Sequence, residues 1–298
     1  MMTRRDAMKL TAAAGLATLP LVATTKAAAT ALEWTYFQAD ENGFRRTPVL
    51  LSGEKDAILI DGGFTLSDGR AVAEAISKTG KRLTTIYVTC NDPDYYFSLR
   101  PVVDAFPEAK VIAKPETVAA IRANVEEKLA VWGPQLKENG PQTLADVVIP
   151  EASEATSLTL EGKAIEIVEI PDMHDRRYLF VPSLQAVFGG VLVDSGVHVW
   201  VADTATAELR AAWVKALDAI LAREPQIVVP GHQTANAPQG LEAVKFTRDY
   251  LLAFEEALAT TNDSAELIAQ MTEQFPDLAD VSSLELGAKV AKGEMKWG

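Results

Sequence analysis

Five short segments, each following an apolar run of strand length, do most to limit how this chain can fold. In order they are Asp61-Gly62-Gly63, the loop Cys90-Asn91-Asp92-Pro93-Asp94-Tyr95, Met173-His174, the pair Gly189-Gly190 with His198-Val199-Trp200 and Ala202-Asp203 after it, and Pro230-Gly231-His232. Gly62 and Gly63 can take the positive φ of a sharp turn, and Asp61 can hold neighbouring backbone amides. Around these landmarks the hydrophobic pattern predicts strands over residues 32–38, 47–52 and 56–60. A helix follows over 67–79, with Val72, Ala75, Ile76 and Thr79 on one face. A strand over 84–89 delivers the Cys90 loop, an amphipathic helix follows it, a strand covers 110–113, and Pro115 opens a helix to about residue 132. Gly133, Pro134, Gly140 and Pro141 mark an irregular connection.

A second half repeats the order, with strands over 157–160, 165–170, 178–181 and 186–188, a helix over 206–221 and a buried strand over 227–229. Two β-then-helix halves predict an α/β (α+β) fold, a four-layer αββα sandwich over residues 30–240. Helices over 241–260, 264–275 and 283–292 form a C-terminal extension (241–298) packed on it. In that extension Ala243, Phe246, Tyr250, Leu251 and Phe254 keep the spacing of a core-facing stripe.

Residues 1–29 read as an export signal of the twin-arginine kind. Arg4-Arg5 precedes an apolar stretch too short to span a bilayer, and small residues follow around Ala27. The expectation is a periplasmic or secreted protein, with the twin-arginine machinery as its partner during export and no stable membrane insertion. Removing residues 1–29 leaves 24 basic against 40 acidic residues, a net charge of −16. Such a surface repels polyphosphate backbones and argues against a nucleic-acid partner. Cys90 is the sole cysteine, so no intrachain disulfide forms.

The ordered landmarks resemble those of the metallo-β-lactamase superfamily, over about 180 residues. The Cys90 loop resembles that family's His-x-His-x-Asp-His motif, with Cys90 at the first His, Asp92 at the second, Asp94 at the Asp and Tyr95 at the last His. The resemblance implies two metal sites. The first would use Cys90, Asp92 and His174; the second Asp94 and His232, without the last His and without the bridging Asp, whose place falls on Gly190.

Zinc accepts thiolate, carboxylate and imidazole, so Cys90, Asp92 and His174 would suit one zinc ion with a coordination position open for water. Iron or manganese would tolerate the harder donors. Asp92 and Asp94 also have an ordinary use as turn and cap residues, Cys90 as a buried strand-end residue, and His174 as a solvated side chain between two aspartates. His198 reads as a packing or hydrogen-bonding residue near the site. A Gly-x-Ser-x-Gly elbow and a three-glycine dinucleotide fingerprint are both absent from the sequence.

The leading expectation is an exported hydrolase with one metal, acting on a small ester, lactone, thioester or amide through metal-activated water oriented by Asp94. The alternative is a relative without catalysis that serves as a binding or scaffold protein.

Overall fold

The computed structural model describes residues 31–297, so the expected export signal lies outside the described residues. Strands β1 (Glu33–Tyr36), β2 (Val49–Ser52) and β3 (Asp56–Ile60) form an antiparallel meander. Helix α1 (Leu66–Thr79), started by the Thr65/Asp68 capping box, crosses to β4 (Arg82–Tyr87), parallel to β3. Short α2 (Leu99–Ala105) leads to β5 (Lys110–Ala113), and α3 (Pro115–Leu136) leads to β6 (Glu151–Ala152), closing a six-stranded sheet in the order β1 to β6.

The second sheet starts with β7 (Ser157–Leu160), β8 (Lys163–Glu169), β9 (Arg177–Val181) and β10 (Ala186–Phe188), all antiparallel. The chain then forms β11 (Asp194–Ser195), helix α4 (Ala207–Ala222), β12 (Ile227–Val228) and β13 (His232–Gln233). β12 joins the second sheet parallel to β10, while β13 pairs with β11 outside it. Helices α5 (Leu241–Thr260), α6 (Ser264–Gln274) and α7 (Val281–Ala291) complete the order.

Alternation along the strands builds the layers, because successive side chains leave opposite faces. Val49 and Leu51 of β2 and Ile58 and Ile60 of β3 meet Ile165, Ile167, Leu179, Val181 and Phe188 between the two sheets. Their neighbours Leu50, Ala57 and Leu59 face outward onto Val72 and Ile76 of α1 and Ile121 and Val125 of α3. On the far side Tyr178 and Val187 pack under Trp213 and Leu217 of α4, with Tyr250, Leu251 and Phe254 of α5 in the same cluster. The result is the expected αββα sandwich. Leu267 and Leu284 tie α6 and α7 into that outer cluster.

Three local expectations are corrected. α3 continues through Gly133 and Pro134 to Leu136, four residues past Trp132. Proline removes only one intrahelical bond, and the Gln142 side chain donates to the Gly133 carbonyl at 3.2 Å. Thr79 is exposed, and α1 instead buries Gly69 and Ala73 beside Val72 and Ile76. The positive φ falls on Asp61 (62°), not on Gly62 or Gly63. Gly62 is needed for space: a Cβ there would lie 2.8 Å from Leu99 and 3.0 Å from the Tyr95 carbonyl oxygen. Among the described residues no helix is long and apolar enough to cross a membrane.

Candidate functional site

The ends of β3, β4 and β10 are locked together by one buried carboxylate. Asp61 accepts from the Thr89 amide and hydroxyl, both at 2.8 Å, and from the Gly190 amide at 3.2 Å. This holds the loop after β4 in a fixed position, with Cys90, Asp92, Asp94 and Tyr95 all buried.

Cys90 is wholly buried, and its thiol donates to Asp92 Oδ2 at 3.7 Å. Burial, reinforced by Asp92 and Asp61, pushes the thiol far above its ordinary pKa, which opposes the thiolate a metal would need. The expected outcome with Ellman's reagent is no reaction in the native protein and one thiol released in denaturant; fast native labelling would show an accessible thiolate instead. Asp92 lies 3.6 Å from Arg176 Nη1. Burial raises its pKa to about 7 against the opposing pull of Arg176, so the carboxyl is only partly ionised at neutral pH, with Arg176 as the counter-charge of its ionised form.

His174 does not join Cys90 and Asp92. It is exposed, in a separate hollow beside Asp172 and Asp175. The reason is local: Met173 turns into the apolar cluster under α4 and α5, so the next side chain faces out, and Arg177 Nη1 clamps the His174 carbonyl at 2.6 Å. The expected three-donor set is therefore not assembled.

At the second position the cation is Arg46, 1% exposed. Its guanidinium lies 3.7 Å from Asp61 Oδ2 and 3.5 Å from Asp94 Oδ2, and Nε donates to the Asp94 carbonyl at 3.1 Å. It also covers the face of Tyr95, 3.3 Å from the ring centroid, and donates to the Gly231 carbonyl. His232 keeps the posture of a ligand, with Nδ1 bonded to the Phe44 carbonyl at 2.7 Å. Nε2 then meets the Tyr95 hydroxyl at 3.4 Å and Asp94 Oδ2 at 3.3 Å. Burial lowers the His232 pKa and raises that of Tyr95, so a neutral imidazole accepts from a protonated phenol. Tyr95 fills the space in front of the ring.

Gly190 supplies no ligating side chain and has no room for one. Its φ is +81°, and a Cβ would lie 2.4 Å from the Arg177 carbonyl oxygen.

Asp92, Asp94 and His232 form the floor of a cleft whose walls include Phe44, Trp132, Trp200 and Trp297, with Lys128, Asp194, His198, Asp203 and Asp280 between them. His198 is buried, with Nδ1 2.9 Å from the Tyr250 hydroxyl. Burial raises the Asp194 pKa to about 8, so it is largely protonated at neutral pH until a cation comes beside it and favours the carboxylate.

A divalent metal of the implied kind does not fit these residues. Asp92 and Asp94 each already face a guanidinium, Cys90 is held as a thiol, His232 is met by Tyr95, and His174 points away. Among the described residues no three His, Cys, Asp or Glu side chains gather in a ligating group.

Residues 43–232 match the model of the metallo-beta-lactamase superfamily, nearly two thirds of the sequence, and the chain belongs to that superfamily. Among solved structures it is similar to VMB-1 (TM-score 0.50, 16% identity, covering 74% of this chain and 93% of that one). It is also similar to the DIM-1 metallo-beta-lactamase (TM-score 0.49, 18% identity, 74% and 91% covered). No curated protein matches. Membership suggests metal-dependent hydrolysis, and identities this low specify no substrate.

Sequence reasoning missed Arg46 and Arg176. Each is half of an Arg-Arg pair, Arg45-Arg46 and Arg176-Arg177, beside a strand that becomes buried. A basic pair flanking an apolar run near altered ligand positions was the available signal. The four aromatic walls come from segments far apart in sequence and carried none.

Proposed function

We propose that this chain is an exported member of the superfamily that binds a small molecule in the cleft above Asp92, Asp94 and His232 without metal-activated water. One observation supports the reading most: a buried guanidinium stands against each carboxylate of the expected ligand sets, Arg176 at Asp92 and Arg46 at Asp94. Two unit positive charges thus balance carboxylates that would otherwise need a cation, and neither guanidinium can polarise a water molecule toward hydroxide as a metal does. The fold keeps the site's frame, and the Asp61 clamp and the His232 backbone bond still pre-organise it.

A metal-dependent hydrolase remains the second reading. It is favoured by Asp94 Oδ2 and His232 Nε2, which stay 3.3 Å apart beside the cleft. The experiment is a panel of chromogenic lactone, ester, thioester and β-lactam substrates, with and without added zinc, iron or manganese. The expected rates equal those of the metal salts alone. Metal-dependent turnover that His232→Ala abolishes would overturn the proposal in favour of the hydrolase.

A further inference from the structure

Resting on the binding reading above, we infer that the ligand of the cleft is an organic cation, an amine or quaternary ammonium carried on a small apolar body. Three independent features of the cleft converge on that chemistry.

The first is unbalanced carboxyl groups. Asp92, Asp94 and Asp280 each have an arginine within 4 Å, the last being Arg45 at 3.2 Å. Asp194 and Asp203, which line the same cleft, have no Lys, Arg or His within 4 Å among the described residues; Arg46, Arg176 and the Lys128 ammonium act on them only from farther off. Asp203 accepts only from neutral indole N–H groups, those of Trp200 and of Trp297, the latter at 3.0 Å. Asp194 is 3% exposed, and its described hydrogen bonds are made by its backbone, to Thr247, not by its carboxyl. An acid so little exposed, lining the cleft with no cation within 4 Å, marks a place where a ligand donor is accommodated.

The second is the wall. Trp200 and Trp297 stand edge to face, centroids 5.5 Å apart, and Phe44 and Trp132 repeat that arrangement at 5.4 Å. All four are half-buried, leaving ring surface toward the cleft. Aromatic faces beside carboxylates are the usual recognition surface for ammonium groups. Lys128 shows the surface in use: its ammonium, on a side chain 9% exposed, sits 5.3 Å from the Trp297 centroid.

The third is a polar atom with nothing to bond. His198 Nε2 is buried and has no partner in the protein, and His198 lines the cleft next to Asp194 and Trp200. It is free for a hydroxyl or amine on the ligand. An anionic ligand would meet Asp203, which no cation pairs within 4 Å, and an acidic molecular surface, so its binding is opposed at both ranges.

The test follows tryptophan fluorescence of the purified whole chain titrated with three probes of one shape. These are choline, its uncharged carbon isostere 3,3-dimethylbutan-1-ol, and the anion 3,3-dimethylbutanoate. Choline is expected to saturate and to bind at least about tenfold tighter than the alcohol, the factor expected of one desolvated cation–π contact with its counter-charge. Asp194→Asn is expected to remove most of that preference while leaving the alcohol unchanged. Asp203→Asn, at a less buried position, does the same in part and covers a folding failure at Asp194. Equal binding of choline and the alcohol, preference for the butanoate, or no saturable response to choline overturns the cation assignment. Binding of the alcohol or the butanoate in that case leaves the binding reading standing, whereas metal-dependent turnover in the substrate panel removes that reading itself.

Discussion

Arg46→Met is expected to destabilise the fold by about 3–5 kcal/mol, the cost of removing one partner from a buried ion pair. In a chain of this size that lowers the melting temperature by roughly 6–20 °C. Methionine replaces most of the side-chain volume, so the loss is electrostatic and not a cavity effect. What remains is Asp61 and Asp94 without their counter-charge, together with the Asp94 and Gly231 carbonyls that Arg46 bonded. The effect also has a pH signature. Burial already raises the Asp61 pKa against the opposing pull of Arg46, and removing the arginine raises it further. A carboxyl whose folded pKa lies above its unfolded one favours the folded state most below about pH 4, and that contribution is lost as pH rises through the folded value. The penalty of Arg46→Met is therefore smaller at pH 5 than at pH 8. Thermal unfolding by circular dichroism at the two pH values measures both parts, and a variant that melts like the wild type at pH 8 would show that Arg46 is not the counter-charge.

Restoring the superfamily's bridging carboxylate by Gly190→Asp is expected to cost at least about 3 kcal/mol and to recover no metal site. Two terms add. The φ of +81° is strained for any residue with a Cβ, and that Cβ would sit 2.4 Å from the backbone oxygen of Arg177, which cannot swing aside as a side-chain tip could. Gly190→Ala should lose nearly as much as Gly190→Asp, which separates the steric term from the charge. The measurement is the pair of denaturant midpoints at equal slope. If Gly190→Asp folds as stably as the wild type and takes up zinc, the backbone here has kept the geometry of a metal bridge, contrary to this account.

The layers of the fold were legible in the sequence because strand alternation and helix spacing are local. Residues 56–60, 110–113, 157–160, 186–188 and 241–260 are strands and a helix with the expected bounds. The extra pair β11–β13 is not legible, since two-residue strands have no periodicity. The site was half legible. The loop from Cys90 to Tyr95 and the residue His232 do converge, because a strand end fixes each. His174 was misplaced because one residue decides which way a turn points its side chain, and the burial of Met173 decided it. The arginines were invisible for a different reason: a counter-charge is chosen by position in space, and Arg46 comes from the segment before β2, 48 residues from Asp94.

Metal content tests most directly whether guanidinium groups have replaced metal at this site. The whole chain is purified without chelators, and zinc, iron and manganese are measured per chain by inductively coupled plasma mass spectrometry, before and after incubation with excess zinc and desalting. Well under one equivalent of any metal is expected in both samples, with an unchanged melting temperature after zinc or EDTA. One equivalent of metal retained through desalting, with a melting temperature that falls on chelation, would contradict it.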